Sequence, residues 1–421
     1  MTHIQFLRTK TKHLSGMSTA IGMVMLSGQA VSAEPVQLTF GGSADLEQVL
    51  FGDDPSFAGQ SKHSLSFAIR PEIEASWSGD KFDTTLTFAP FYRYDPNDDA
   101  RTNFDLREAK ATLNFGKTEV VLGFAQQFWG KTEVDQIVDI INQTDAAEGT
   151  DGEDKLGQPL ISISHVFELG DATLNGSFYY MPYFRERTFR GRGSRLRSGT
   201  LISNDRSTFA TGVDTRTASF AARIDLTYGN LDMGVSAFHG VSRDPSFQFD
   251  QASGMLIPHY DKISQIGIDA QYTGDATLYK FEGIHRKGQR NFSFEKEDYT
   301  AFIVGIEHTL YGLRGTNADL GLIAEYVYDS RGDQALTVFQ DDLVLGARLA
   351  LNDTQDTALL VTSAFDLDSD EILVRIEGDY RFNDSLSLGI EAGAVLKSSM
   401  KSLAYDQRND PYIATRLTYS W

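Results

Sequence analysis

No cysteine occurs among the 421 residues, which excludes disulfides, thiolate metal sites and cysteine nucleophiles. No stretch approaches the roughly eighteen uninterrupted apolar residues that a membrane-spanning helix needs. That absence does not imply solubility, because a transmembrane β-wall alternates its apolar positions and so dilutes them in any running average. Positive charge is also scarce. The 38 Lys and Arg stand against 58 Asp and Glu, a net charge of -20 that would repel nucleic-acid phosphates. A phosphate-binding glycine loop, a zinc motif and a nucleophile–base arrangement are missing as well, so no catalytic residue, cofactor or metal is expected. Asp366-x-Asp368-x-Asp370 has the opening of a calcium loop but places Glu371 where the sharp turn needs glycine. The histidines His165, His239, His285 and His308 have no accompanying motif.

What is present is alternation. Leu65, Phe67, Ile69, Ile73, Ala75 and Trp77 occupy every second position, with Ser66, Arg70, Glu72 and Glu74 between them. The same pattern returns at Phe220–Tyr228, Leu320–Tyr328 and Ile372–Phe382. The 37 glycines and an aromatic content of 11% suit strands and close-packed walls. Tight-turn dipeptides (Gly79-Asp80, Gly116-Lys117, Gly170-Asp171, Gly229-Asn230, Gly274-Asp275, Asn352-Asp353, Asn383-Asp384) supply the positive φ of short hairpins. Between them lie long polar segments at 45–62, 131–158, 185–215, 242–261 and 398–410. Short turn, long loop, short turn is the layout of a transmembrane antiparallel up-and-down β-barrel with short periplasmic turns and long extracellular loops. The fold is therefore read as all-β, with about eighteen strands, or sixteen if one hairpin is lost. The strands at 36 onward, 160–168 and 356–366 are the weakest elements. Trp77, Phe115, Tyr228, Tyr272 and Phe382 fall near the short turns and Tyr92, Tyr94, Tyr179, Tyr180 and Tyr183 near the long loops, as interfacial girdles require. Arg8, Lys10 and Lys12 precede an apolar run, Met17–Leu26, and the small residues Val31-Ser32-Ala33. This pattern predicts a secretory signal peptide over 1–33 and a single barrel domain over 34–421.

The stretch Tyr412–Trp421, with Ile413, Leu417, Tyr419 and Trp421 on one face, resembles the closing strand of outer-membrane proteins. The resemblance implies that Tyr419 and Trp421 form the signal read by the barrel-assembly machinery. Val120–Lys131, which contains Gln126-Gln127-Phe128-Trp129-Gly130, leads into Val138-Asp139-Ile140-Ile141-Asn142. It is similar to a segment of proteobacterial outer-membrane porin-like barrels, a broad group that includes the alginate-export type, as is Met181–Phe189. The resemblance implies a bacterial outer-membrane location and passive diffusion of small or oligomeric polar solutes. It also implies lipid and lipopolysaccharide as neighbours. It leaves solute and oligomeric state open.

Arginine clusters in one loop: Arg185, Arg187, Arg190, Arg192, Arg195, Arg197 and Arg206, with few acids nearby. Folded inward, these would form an anion-attracting mouth, since charged rings set pore selectivity. Folded outward, they would grip lipopolysaccharide phosphates or pair with acidic loops. Alternation further assigns Arg93, Arg223, Arg348, Arg375, Arg381 and Arg416 to the lumen, with Asp225, Glu325, Glu377, Asp379 and Glu391, because a charge facing lipid is costly. The leading expectation is a porin-like channel with a preference for anions. The alternatives are a non-conducting envelope barrel, adhesive, structural or lipopolysaccharide-binding, and, less favoured, an outer-membrane enzyme.

Overall fold

A strand sends successive side chains to opposite faces, so alternating sequence can present one face to lipid and the other to water. The computed structural model describes residues 36–149, 152–400 and 402–421, and the expected signal segment over 1–33 lies outside the described residues. In chain order the strands are β1 (Gln37–Phe51), β2 (His63–Ser78), β3 (Asp83–Tyr94), β4 (Asn103–Phe115), β5 (Thr118–Ala125), β6 (Gln158–Leu169) and β7 (Ala172–Met181). They continue as β8 (Thr208–Phe209), β9 (Ser219–Tyr228), β10 (Leu231–Val241), β11 (Ser246–Asp250), β12 (Met255–Tyr260), β13 (Lys262–Thr273) and β14 (Thr277–Arg290). The last are β15 (Lys296–Leu310), β16 (Asp319–Asp329), β17 (Asp341–Ala350), β18 (Ala358–Asp366), β19 (Ile372–Asn383), β20 (Leu386–Lys397) and β21 (Tyr412–Ser420).

Eighteen of them form one antiparallel sheet, and β8, β11 and β12 form a small three-stranded sheet within the loops. Sequential neighbours pair throughout the large sheet, and β21 pairs with β1, Leu417 opposite Leu46. The sheet therefore closes and leaves no edge, the condition for crossing a membrane with strands. Outside, the wall is apolar: Ile224, Leu169 and Ile266 are about 60% exposed with nothing of the chain covering them. A closed barrel with this exterior is a transmembrane β-barrel.

The turns at Gly116, Gly170 and Gly229 have φ of 63°, 64° and 56°, as their dipeptides predict. Gly79 and Gly274 do not have positive φ; their amides instead donate to the carbonyls of Phe82 and Thr277 across wider turns. The first loop is shorter than expected, because β1 continues to Phe51. Its inward Asp45 and Glu47 meet arginines on neighbouring elements, so polarity there belongs to the strand and does not end it.

Inside, one wall departs from a polar lumen. Val121, Leu160, Met181, Ala221, Phe238, Ile263, Ile284, Tyr299 and Ala301 point inward from β5 to β15 and bury Trp129, Val138, Ile140 and Ile141 of the 126–157 segment. That long loop lies inside the barrel against its wall, so these inward positions face protein and not water.

Candidate functional site: the barrel lumen

Asn142 ties the base of the inward loop. Its side-chain amide donates to the carbonyls of Ala125 and Leu156 at 2.9 and 2.8 Å, and its oxygen accepts the Gln127 N–H. From that base one arm crosses to β14 and β16. Glu282 accepts the backbone N–H groups of Lys131 (2.5 Å), Thr132 (2.9 Å) and Val138 (3.3 Å), and the Thr132 hydroxyl at 2.7 Å. Glu325 accepts the N–H groups of Glu133 and Val134 at 2.8 and 2.9 Å. Gly130, at φ 117°, makes the approach possible, since a Cβ there would sit 2.8 Å from a Glu282 oxygen. The second arm reaches β3 and β4, where Glu148 accepts from Arg93 at 2.7 Å and Asp145 from Arg107 at 2.5 Å.

What the loop leaves open is a cavity of about 4680 Å³. It extends from turn residues such as Asn230, Asp275 and Asp384 to outer-loop residues such as Arg197, Phe339 and Gln407. Its lining carries sixteen Lys or Arg and twenty-three Asp or Glu. Such a space suits the passage or holding of polar, hydrated molecules.

The sequence-assigned arginines divide. Arg187, Arg190, Arg197, Arg348, Arg375, Arg381 and Arg416 line the cavity, whereas Arg93, Arg185, Arg192, Arg195 and Arg223 are not on its lining. In the loop, Arg185 pairs with Asp105 at 2.6 Å and Arg187 with Asp244 at 2.9 Å. Arg195 is sunk between Asp410, 2.6 Å from its Nε, and the Phe51 ring. Arg197 donates to the carbonyls of Ser198 and Gly199 and lies 4.1 Å from the centre of the Phe57 ring. Arg190 donates to the Glu148 carbonyl, and Arg192 is exposed. On the wall, Arg223 pairs with Asp269 and Asp225, Arg348 with Glu307 and Glu133, Arg375 with Glu377, Arg381 with Asp356 and Arg416 with Glu47. Two loop carboxylates respond to their surroundings in opposite ways. Burial pushes the Asp98 carboxyl up, whereas Asp244, although burial also raises it, is held well below the usual range by Arg286 and Arg187.

The four strand histidines sit elsewhere, each hydrogen-bonded across strands to a hydroxyl: His165 to Thr118, His239 to Ser264, His285 to Thr300 and His308 to Thr277. At the seam, Trp421 stacks on Tyr419 with ring centres 6.3 Å apart, both exposed, and its amide donates to the Gly42 carbonyl.

A closed eighteen-strand wall with a long loop folded into a charged lumen settles the architecture. This is a closed, eighteen-strand transmembrane β-barrel. No family model matches the chain, and no curated protein matches it in sequence. Among solved structures the barrel is similar to a double mutant of the Rh. blastica porin, at 11% identity and a TM-score of 0.46, over 91% of this chain and 100% of that one. It is also similar to a Rhodopseudomonas blastica porin triple mutant, at 11% identity and a TM-score of 0.46, with the same coverage. A third resemblance, to a structure titled "Asymmetric conductivity of engineered proteins", has 12% identity and a TM-score of 0.45, again over 91% and 100% of the two chains. Nothing about solute or activity follows from likeness at this level.

Glu282 and Glu148 are the residues that sequence reasoning passed over. The available signal for Glu282 was its inward phase on β14, shared with Lys280 and Arg286.

Proposed function

We propose that the chain is an outer-membrane channel through which small polar solutes diffuse passively. The observation that carries this reading is the charged cavity that extends from the turns at one end to the loops at the other inside a wall with an apolar exterior. The apolar belt fits a lipid bilayer, and long loops on one rim with short turns on the other fit the outer membrane of a Gram-negative cell. Export behind the 1–33 signal segment and insertion guided by Tyr419 and Trp421 belong to the same reading, which assigns no catalytic step. The loop arginines alone favour anions. Their pairing with carboxylates, and the surplus of acids on the lining, favour cations instead. Purified, heat-modifiable barrel added to a planar lipid bilayer is expected to give discrete single-channel steps. A folded preparation that inserts without conducting would leave the non-conducting envelope barrel as the reading.

A further inference from the structure

Most lysines and arginines near the outer rim are paired or sunk in loops, but one group faces outward without a partner. Lys262 opens β13, Lys287 lies near the outer end of β14 and Lys296 opens β15, so three adjacent strands each present an exposed lysine at the same rim. Ser264 is opposite Lys287 and Arg290 opposite Lys296, with a bulge between Arg286 and Gln289 in β14. Gly288 sits in that bulge at φ 85°, where a Cβ would lie 3.2 Å from the Lys262 carbonyl and 3.2 Å from the Lys296 Cε. Among the described residues none of the three lysines makes an ion pair. The nearby acid Asp298 already accepts the Gly288 N–H at 3.0 Å, and Glu295 stands in the adjoining turn. Two further polar groups face the same way: His239 on Ser264 at 2.9 Å and His285 on Thr300 at 3.0 Å.

Directly toward the membrane the surface turns apolar, with Ile266, Val304 and Val235 exposed at 63%, 48% and 42%. Cations above and bare aliphatic wall below match a molecule with an anionic head and hydrocarbon tails. In a chain of net charge -20, three exposed ammonium groups at one rim that form no ion pair, with only Asp298 and Glu295 as nearby acids, are otherwise unexplained. We propose that this patch holds the phosphorylated headgroup of an outer-leaflet lipid, with its acyl chains lying along Ile266, Val304 and Val235. The proposal rests on the outer-membrane placement proposed above and is independent of conduction through the lumen.

The test compares the intact barrel with Lys262→Gln/Lys287→Gln/Lys296→Gln and with the corresponding triple Arg variant. The probes are a bisphosphorylated lipid A and its dephosphorylated form, with retention read by native mass spectrometry. The Gln variant is expected to retain about tenfold less phosphorylated lipid, the Arg variant to retain it, and the dephosphorylated probe to bind all three weakly. Equal retention by the Gln variant overturns the proposal, as does a loss that follows Arg192→Ala instead. Should the triple Gln variant fail to show heat-modifiable migration, Lys287→Gln alone is read, and unchanged retention there overturns it equally. Single-channel conductance of the variants tests the lumen reading separately.

Discussion

Glu282 concentrates the inner loop's attachment in one side chain. A hydrogen bond inside a folded chain contributes about 0.5–1.5 kcal/mol net, and the oxygens of this side chain receive three backbone N–H groups and a hydroxyl. Removing it should free the first arm while leaving the strand ladder of β14 intact. Glu282→Ala is therefore expected to raise single-channel conductance by about 1.5-fold or more, with heat-modifiable migration unchanged. Glu282→Gln keeps one accepting oxygen and should move conductance less. A conductance equal to wild type in the alanine variant would mean that Glu325, Arg348 and the packing of Trp129 and Val138 hold the arm without it. Sequence reasoning passed over Glu282, because its partners Lys131, Thr132 and Val138 lie 151, 150 and 144 positions earlier in the chain. Asn142 was visible within a motif, yet its task of joining Ala125 to Leu156 depends on loop geometry that spacing does not encode.

Strands were legible because period 2 is local: each apolar residue from Phe220 to Tyr228 reports its own face. Loops were not, because their paths are set by distant partners. The 131–158 segment reads as polar and external, yet its Val138, Ile140 and Ile141 pack against an inner wall that is itself apolar. The arginine loop likewise reads as a cationic patch, but the folded chain supplies Asp105, Asp244 and Asp410 from other elements to meet Arg185, Arg187 and Arg195. Asp244 joins three elements, taking Arg187 from one loop and Arg286 from β14. Its carboxyl is depressed in the folded state, so its contribution is fully present above the unfolded value of about 3.9 and disappears as pH falls below it. Pepsin cleavage within 182–218, normalised at each pH to cleavage of an unfolded substrate, is accordingly expected to stay slow at pH 5 and to accelerate only below about 3.9. Asp244→Asn should be cleaved quickly already at pH 5, and equal protection of the two proteins there would remove Asp244 as the tether.

Charge preference is a property of the whole lumen, because paired charges cancel at a distance while a surplus does not. Sixteen basic and twenty-three acidic residues face the cavity, a formal surplus of acids that would give a hydrated ion in the proposed channel a negative mean potential despite the local arginines. The effect should depend on salt, since the screening length is about 10 Å at 0.1 M and about 3 Å at 1 M. In a tenfold potassium chloride gradient, the reversal potential is expected to have the sign of a cation-preferring pore at low salt and to shrink toward zero at high salt. Neutralising the acids of one wall, Glu377→Gln with Asp379→Asn and Glu391→Gln, should move the reversal potential toward anions. Neutralising Arg192, which lies off the lining, should leave it in place. A wild-type reversal potential of the opposite sign would mean that Arg190 and Arg197, whose guanidiniums bond to carbonyls and not to carboxylates, outweigh the acids of the lining, and the anion preference expected from the arginine loop would then stand.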